Sequence, residues 1–489
     1  MSTSTAVAKL PFRNKLAYGL GSIAFGIKDH GFNTFLMLYY NQIVGLPAAW
    51  VGTAIMISML FDAVVDPLIG HSSDRLRSRW GRRHPFMYAS AIPIAVAFYL
   101  LWNPPAAEWM GQMGQMAWLL ATSIAVRIAI ALYEIPSATL MAEFTNDYDE
   151  RTSLATYRSL FFAIGMVGMG VIALKVFLVP TAEQPVGQLN AAGYTQYALA
   201  AAGIMLFSVL ISTWGTHSRI PTLLVPDKPS GSGYAELWRG LKTILSDSTY
   251  ASVLLFALFF SIVGGLATGL GVYVNTFFWR LNSEHLASIA GATGLGVILA
   301  LVVVQLSKRF GKKETVIVLV FIALLSSVIP LSLGLMGLMP KEIPALLNWL
   351  LVKNILLVTC MLAAIILSAS MAADVSEHFQ LKTGKRMEGL IFAAFVMVMK
   401  AVSGVGVFLS GLVLAFVKFP EKATPETVDP AIVHQLVVIF VIGITSFCVF
   451  SLIALSFYPI TRAKHRQMLA DLEARKLGES QLATATVSA

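Results

Sequence analysis

Twelve apolar stretches constrain this chain more than anything else in it. They fall near residues 16–43, 48–70, 86–103, 114–142, 152–179 and 195–221, then near 248–280, 285–307, 314–336, 348–373, 387–418 and 430–461. Each can cross about 30 Å of hydrocarbon, which takes roughly 20 helical residues. Hydrocarbon offers no partner for a backbone N–H or C=O, so such runs span as helices with their hydrogen bonds satisfied internally. Composition agrees. Only 12% of the 489 residues are charged and 57% are hydrophobic, whereas a soluble domain averages about 25% charged. The first stretch is too long for the apolar core of a signal peptide and reads as the first membrane helix, although Lys28 and Asp29 interrupt it. The expectation is an all-α polytopic membrane protein.

The stretches group as six and six. A polar connector at 222–247, rich in Pro, Gly and Ser over 226–233, separates them, with a short interfacial helix expected at 235–245. The expected division is an N-terminal six-helix bundle (1–221), a cytoplasmic linker (222–247), a C-terminal bundle (248–461) and a cytoplasmic tail (462–489). The tail starts helical and is expected to fray towards its end. If the loops alternate from a cytoplasmic N-terminus, 25 of the 35 Lys and Arg residues fall on the cytoplasmic side, six opposite and four at membrane depth. Cytoplasmic loops collect Lys and Arg, so both termini are expected inside. The net charge of +9 then reflects topology and calls for no nucleic-acid partner. Cys360 and Cys448 lie in apolar runs and imply neither a disulfide framework nor a metal cluster.

The halves echo each other. "GHSSDRLRSRWGRRHP" (70–85) follows the second stretch and "QLSKRFGKKET" (305–315) the eighth. "NDYDERTSLATYRSLFFAIGMVG" (146–168) follows the fourth, and "ADVSEHFQLKTGKRMEGLIFAAFVMVMKAVSG" (373–404) the tenth. Parallel six-helix repeats describe the major facilitator fold, in which a solute binds near the bilayer midplane between two bundles.

Ionisable residues at membrane depth cost roughly 2.5–3.5 kcal/mol each on insertion scales and mark function by default. Here they cluster: Lys28 and Asp29 in helix 1, Asp62 and Asp66 in helix 2, Arg127 and Glu134 in helix 4, Arg158 in helix 5, and Lys400 in helix 11. Asp62 and Asp66, at i and i+4, project from one helix face. Two carboxylates so close repel, so a cation sits between them or one holds a proton, unless Lys28 or an arginine pairs with them structurally. Pro67 cannot donate to the carbonyl of Ala63 and loosens the helix there. Lys28 and Asp29 are about 100° apart on the helix, which predicts different partners or a shared solute. Arg127 and Glu134 are two turns apart and predict an internal pair with a structural role for Arg127. Glu134, before Pro136, and Lys400 are assigned to the solute site. Asp74 and the arginines of the first basic loop are expected to lock helix ends. Asp147, Asp149, Glu150 and Arg151, with Asp374, Lys385 and Arg386, are candidates for a gate. His30 is expected to pack.

The stretch "YGLGSIAFGIKDHGFNTFLMLYYNQIVGLPAAWVGTAIMISMLFDAVVDPLIG", then "RSRWGRRHPFM", and later "ADVSEHFQLKTGKRMEGLIFA" before a buried lysine, resemble the glycoside–pentoside–hexuronide:cation symporters, of which melibiose permease is the type. The resemblance covers nearly the whole chain. It implies that Asp62 and Asp66 bind the coupling cation, that Lys28, Asp29, Glu134 and Arg158 contact the sugar, and that Lys400 stands between cation and sugar sites. Departures from the pattern carry information too. Val65 stands where the type protein has asparagine and Ala131 where it has threonine. Both changes remove neutral oxygens that a sodium ion would use, which favours H⁺ over Na⁺. Ala138 replaces a sugar-stacking tryptophan and points to a different or bulkier solute.

The function expected is therefore alternating-access symport of a sugar, glycoside or uronide with H⁺ or Na⁺, by a monomer in a bacterial inner membrane, without a cofactor. If Na⁺ is the ion, Asp62 and Asp66 are its metal ligands. A lysolipid or amphiphile transporter is the rival within the class, and a non-transporting membrane sensor or scaffold the rival outside it. Enzymatic chemistry is not expected, since no His-rich motif and no nucleophile–base pair lies at depth.

Overall fold

The computed structural model describes residues 10–145, 147–223, 247–383 and 388–487. Most of the connector, its expected helix at 235–245, Lys385 and Arg386 lie outside the described residues. Among the described residues, eleven helices are long and apolar enough to cross a membrane: α2 (Ala48–Arg75), α3 (His84–Leu101), α4 (Ala107–Phe144), α5 (Asp149–Phe177), α6 (Ala191–His217), α7 (Ser248–Phe278), α8 (Ser283–Phe310), α9 (Lys312–Leu335), α10 (Ile343–Lys382), α11 (Leu390–Phe416) and α12 (Pro430–Ser456). They follow α1 (residues 12–44), a helical run with two wide π segments, Gly31–Phe35 and Tyr39–Val44. With α1 the expected twelve are present, and a tail helix, α13 (Arg462–Val487), follows them.

Boundaries differ from expectation where polar sequence keeps a helical pattern beyond the bilayer. α10 has 40 residues, about 60 Å at 1.5 Å per residue, or twice the hydrocarbon thickness. It carries "ADVSEHFQLK" on as helix past residue 373. The tail does not fray as expected, because α13 runs to Val487. α2 and α4 continue through Pro67 and Pro136; each loses one backbone donor without ending.

By packing the chain divides into two compact units. The first takes in Met1–Pro229, Gly265–Gly294 and Ser403–Phe440; the second takes in Ser230–Gly264, Leu295–Val402 and Val441–Ala489. In the first, α3 packs on α4 and α6, α2 on α4, and α1 on α5 and α6. Small residues let α1 and α5 cross closely: a Cβ on Gly26 would lie 2.2 Å from the carbonyl oxygen of Phe162, and one on Gly165 would lie 2.5 Å from that of Ile23. This crossing sets Lys28 and Asp29, one half-turn on from Gly26, at their depth in the bundle. An aromatic core of Phe35, Tyr39, Trp102, Tyr194 and Tyr197 holds one end, Trp102 stacking on Tyr194 at 5.5 Å.

The same unit contains a sealed end. Tyr273 donates to Asn41 Oδ1 at 2.7 Å, Gln42 donates to the carbonyl of Pro420 at 3.1 Å, and Gln42 Oε1 accepts from the N–H of Ala423 at 2.8 Å. Gln188 donates to Thr276 Oγ1 and the carbonyl of Leu281 at 3.0 and 2.9 Å. A Cβ on Gly411 would stand 2.5 Å from the carbonyl oxygen of Ala48, so α11 meets α2 at backbone distance. In the second unit α9 packs on α10, and α13 lies against α10. Cys360 and Cys448 are buried and unbonded.

Candidate transport site

The first unit collects seven of the eight expected depth charges, six of them in three ion pairs and Asp66 one turn from Asp62. Arg127 Nη1 donates to Asp62 Oδ2 at 2.6 Å and its Nε donates to Ser58 Oγ at 3.1 Å, joining α4 to α2. Its guanidinium also lies 5.0 Å from the ring of Phe32. Arg158 of α5 donates to Glu134 Oε1 of α4 and, at 3.2 Å, to the hydroxyl of Tyr18 on α1. Tyr18 in turn donates to the carbonyl of Ser137 at 2.8 Å. Asp66, half-buried, lies one turn from Asp62 and is itself engaged in a polar contact.

Two expectations about pairing are overturned. Arg127 and Glu134 do not pair with each other; each pairs across to another helix. Seven residues rise about 10 Å along an α-helix, beyond the reach of that pair, while the neighbouring helices bring Asp62 and Arg158 alongside. Lys28 and Asp29 were expected to reach different partners or a shared solute and not to pair directly, yet Lys28 Nζ donates to Asp29 Oδ1 at 2.7 Å. The long lysine stem curls across the 100° between them, and its ammonium lies 4.5 Å from the ring of Phe25.

These pairs leave particular valences open. Glu134 Oε2 is buried with no hydrogen-bond partner among the described residues, although Arg158 holds the other oxygen. Asp29 keeps about a third of its side chain exposed and Glu134 a quarter. The Asp29 side chain is therefore open to water, whereas the unpartnered oxygen of Glu134 is enclosed. Lys400 lies well inside α11, in the second unit, and is exposed and engaged in a polar contact. His30 is buried, with Nδ1 3.5 Å from Thr34 Oγ1, and packs edge-on against Phe35.

The loop charges lock helix ends. Arg83 pairs with Asp74 and with Glu143 (3.0 Å) and donates to Ser73 Oγ at 2.6 Å, while Arg82 meets Glu143 at 2.9 Å. Asp147 caps α5 by accepting from the N–H of Glu150 at 2.8 Å. Arg151 Nε donates to the carbonyl of Thr145 at 2.8 Å, and Glu150 holds Lys15 at 3.0 Å. In the second unit Lys312 holds Asp374 at 2.6 Å. The two halves thus repeat one device: a basic turn after an even-numbered helix grips an acid at the far end of the helix two further on. Sequence reading missed Glu143, Ser58, Tyr18, Glu377 and His465. Glu143 alone had a visible signal, as an acid closing an apolar helix opposite a basic loop.

Among the described residues, long apolar helices that carry ion pairs at membrane depth define a polytopic membrane protein. Residues 17–462 match the family model described as MFS/sugar transport protein, and the chain belongs to that family. An uncharacterized symporter of Synechocystis sp. is 26% identical, over 97% of this chain and 99% of its own. The isoprimeverose transporter of Lactiplantibacillus pentosus is likewise 26% identical, over 97% and 94%. The crystal structure of a D-xylose–proton symporter superposes with a TM-score of 0.59 at 13% identity, covering 89% of this chain and 97% of the other; this likeness concerns the fold. The chain is thus a membrane transporter of the major facilitator type.

Proposed function

We propose that the chain couples the movement of a sugar, glycoside or uronide to that of a monovalent cation, by alternating access, in a bacterial inner membrane with both termini cytoplasmic. The observation that carries this reading is the pairing of Asp62 with Arg127 beside a second carboxylate, Asp66, at membrane depth. Buried ion pairs recover little of their desolvation cost as stability, so charges kept in this setting mark function. An arriving ion competes with Arg127 for Asp62, and that exchange changes which groups hold α2 against α4.

H⁺ is the favoured ion. Neither Val65 nor the buried Ala131 offers an oxygen beside the carboxylates, and the Ser58 hydroxyl is already engaged by Arg127. A hard metal cation needs several oxygens; a proton needs one. On this reading Lys28, Asp29, Glu134 and Arg158 hydrogen-bond solute hydroxyls or a solute carboxylate, and Lys400 supplies the second half's contact. Asp74, Asp147, Arg151 and Asp374 hold helix ends, and a gating role for Arg386 is part of the same proposal.

Uptake into membrane vesicles, across a panel of glycosides, uronides and lysolipids under imposed H⁺ or Na⁺ gradients, tests all of this. Asp62→Asn and Asp66→Asn are expected to abolish gradient-driven accumulation while the protein inserts normally, and a protonophore to collapse wild-type uptake. Full accumulation in either variant would remove the coupling role, and restoration by Na⁺ alone would transfer it to sodium. One observation favours a second reading. Ala138, one turn beyond Glu134 on α4, is exposed where the resemblance expects a sugar-stacking ring. Accumulation of lysolipids and of none of the sugars would establish an amphiphile as the solute.

A further inference from the structure

The second unit holds a basic cavity, built from residues with no part in the solute and ion contacts above. Gly311, at φ +99°, turns the chain between α8 and α9. Lys308 and Lys312 thereby share a cavity of about 440 Å³ with Arg462, His465 and Arg466 of α13 and Asp374 of α10.

The charges in it are unequally matched. Lys312 is taken up by Asp374, donating to both oxygens at 2.6 and 2.8 Å. His465 Nε2 lies 2.8 Å from Glu377 and 3.4 Å from Asp374. Arg462 donates to the carbonyl of Arg309 at 3.0 Å, which neutralises none of its charge. Neither Lys308 nor Arg466 has a carboxylate at ion-pair distance among the described residues. Lys308, Arg462 and Arg466 therefore line the cavity with no carboxylate at ion-pair distance among the described residues. Asp374, Glu377 and His465 are spaced as metal ligands would be, but the Lys312 ammonium already occupies the charge that a metal would bring. The cavity is suited to an anion.

The surroundings indicate which anion. Val302, Leu306 and Phe310, four residues apart along α8, are exposed at 63%, 48% and 61%, and Leu306 and Phe310 are next in the chain to the cavity residues Ser307 and Gly311. A small soluble anion has no use for that strip, whereas a lipid lays its chains along it while its phosphate enters the basic pocket. We propose that this cavity binds the phosphate headgroup of an anionic phospholipid of the phosphatidylglycerol class, pinning α13 to the α8–α9 turn.

The test uses the purified full-length protein in neutral detergent, titrated with phosphatidylglycerol, phosphatidylcholine, inorganic phosphate and a hexose phosphate. Phosphatidylglycerol is expected to bind saturably and in preference to phosphatidylcholine. The double variant Lys308→Gln/Arg466→Gln should weaken that binding about tenfold or more. Arg309→Gln, in the same turn but outside the cavity lining, should leave it unchanged. Melting temperature without added lipid checks that each variant is folded. Equal binding of the two lipids, or unchanged affinity in the double variant, overturns the proposal. Saturation by hexose phosphate or inorganic phosphate without a phosphatidylglycerol preference overturns the lipid assignment and gives the cavity to a soluble phosphate.

Discussion

Arg127 is the residue whose removal separates structure from coupling most clearly. Its side chain is 6% exposed and that of Asp62 16%, so Arg127→Gln leaves a carboxylate buried beside a second one. Breaking a buried pair from one side costs about 3 kcal/mol or more, and the variant should melt well below wild type. Adding Asp62→Asn removes the orphaned charge, so the double variant should recover most of that loss in the same melting assay. Additive losses would show that the two residues do not act as a pair. The sequence made the charges legible, since an ionisable residue in an apolar run is conspicuous. It did not reveal their partners: Asp62 and Arg127 are joined only by the packing of α2 on α4, which no local spacing encodes. Even Lys28 and Asp29, adjacent in the chain, were misjudged by helical angle alone, because a lysine stem is long enough to cross it.

Elements were readable from hydropathy wherever the bilayer sets their length, and less so where they leave it. α10 and α13 outlast the apolar signal because their polar ends remain good helix sequence. Just before α7, Asp247 shows how such an end is tied. Burial pushes its carboxyl up, but Lys382 on α10 (3.0 Å), the N–H of Thr249 and the nearby His378 outweigh burial and hold it below the usual carboxylate range. A carboxylate depressed in the folded state adds stability above its unfolded pKa, near 3.9, and loses it as pH falls through the folded value. Lys382→Gln should therefore melt lower than wild type at pH 7, with the gap closing below about pH 4. A gap that persists undiminished into acid would mean that Lys382 acts there through packing.

At the scale of the whole molecule, the proposed alternating access requires that the sealed end of the first unit can open. The seal rests on backbone approach, which the twelve-helix pattern predicts in kind but not in place: nothing in a run such as "FLSGLVLAF" marks Gly411 as the contact with Ala48. Gly411→Val places branched carbons against that carbonyl and should wedge α11 from α2. A Leu46→Cys reporter, at a position fully buried in this structure, should become reactive to a membrane-impermeant maleimide in the valine background. Cys360 and Cys448 are buried, so the native background stays quiet, and an unreactive reporter would show that the contact does not hold the end shut. The wide turns of α1 tie this end to the charge site in another way. Lys28 and Asp29 precede both π segments, while Asn41 and Gln42 lie in the second. A π turn carries about one residue more than an α turn, so rewinding the first would swing the sealing amides roughly 100° about the helix axis relative to the charges. The two wide turns thus set the rotational phase between the ends of α1, and rewinding either one would change it.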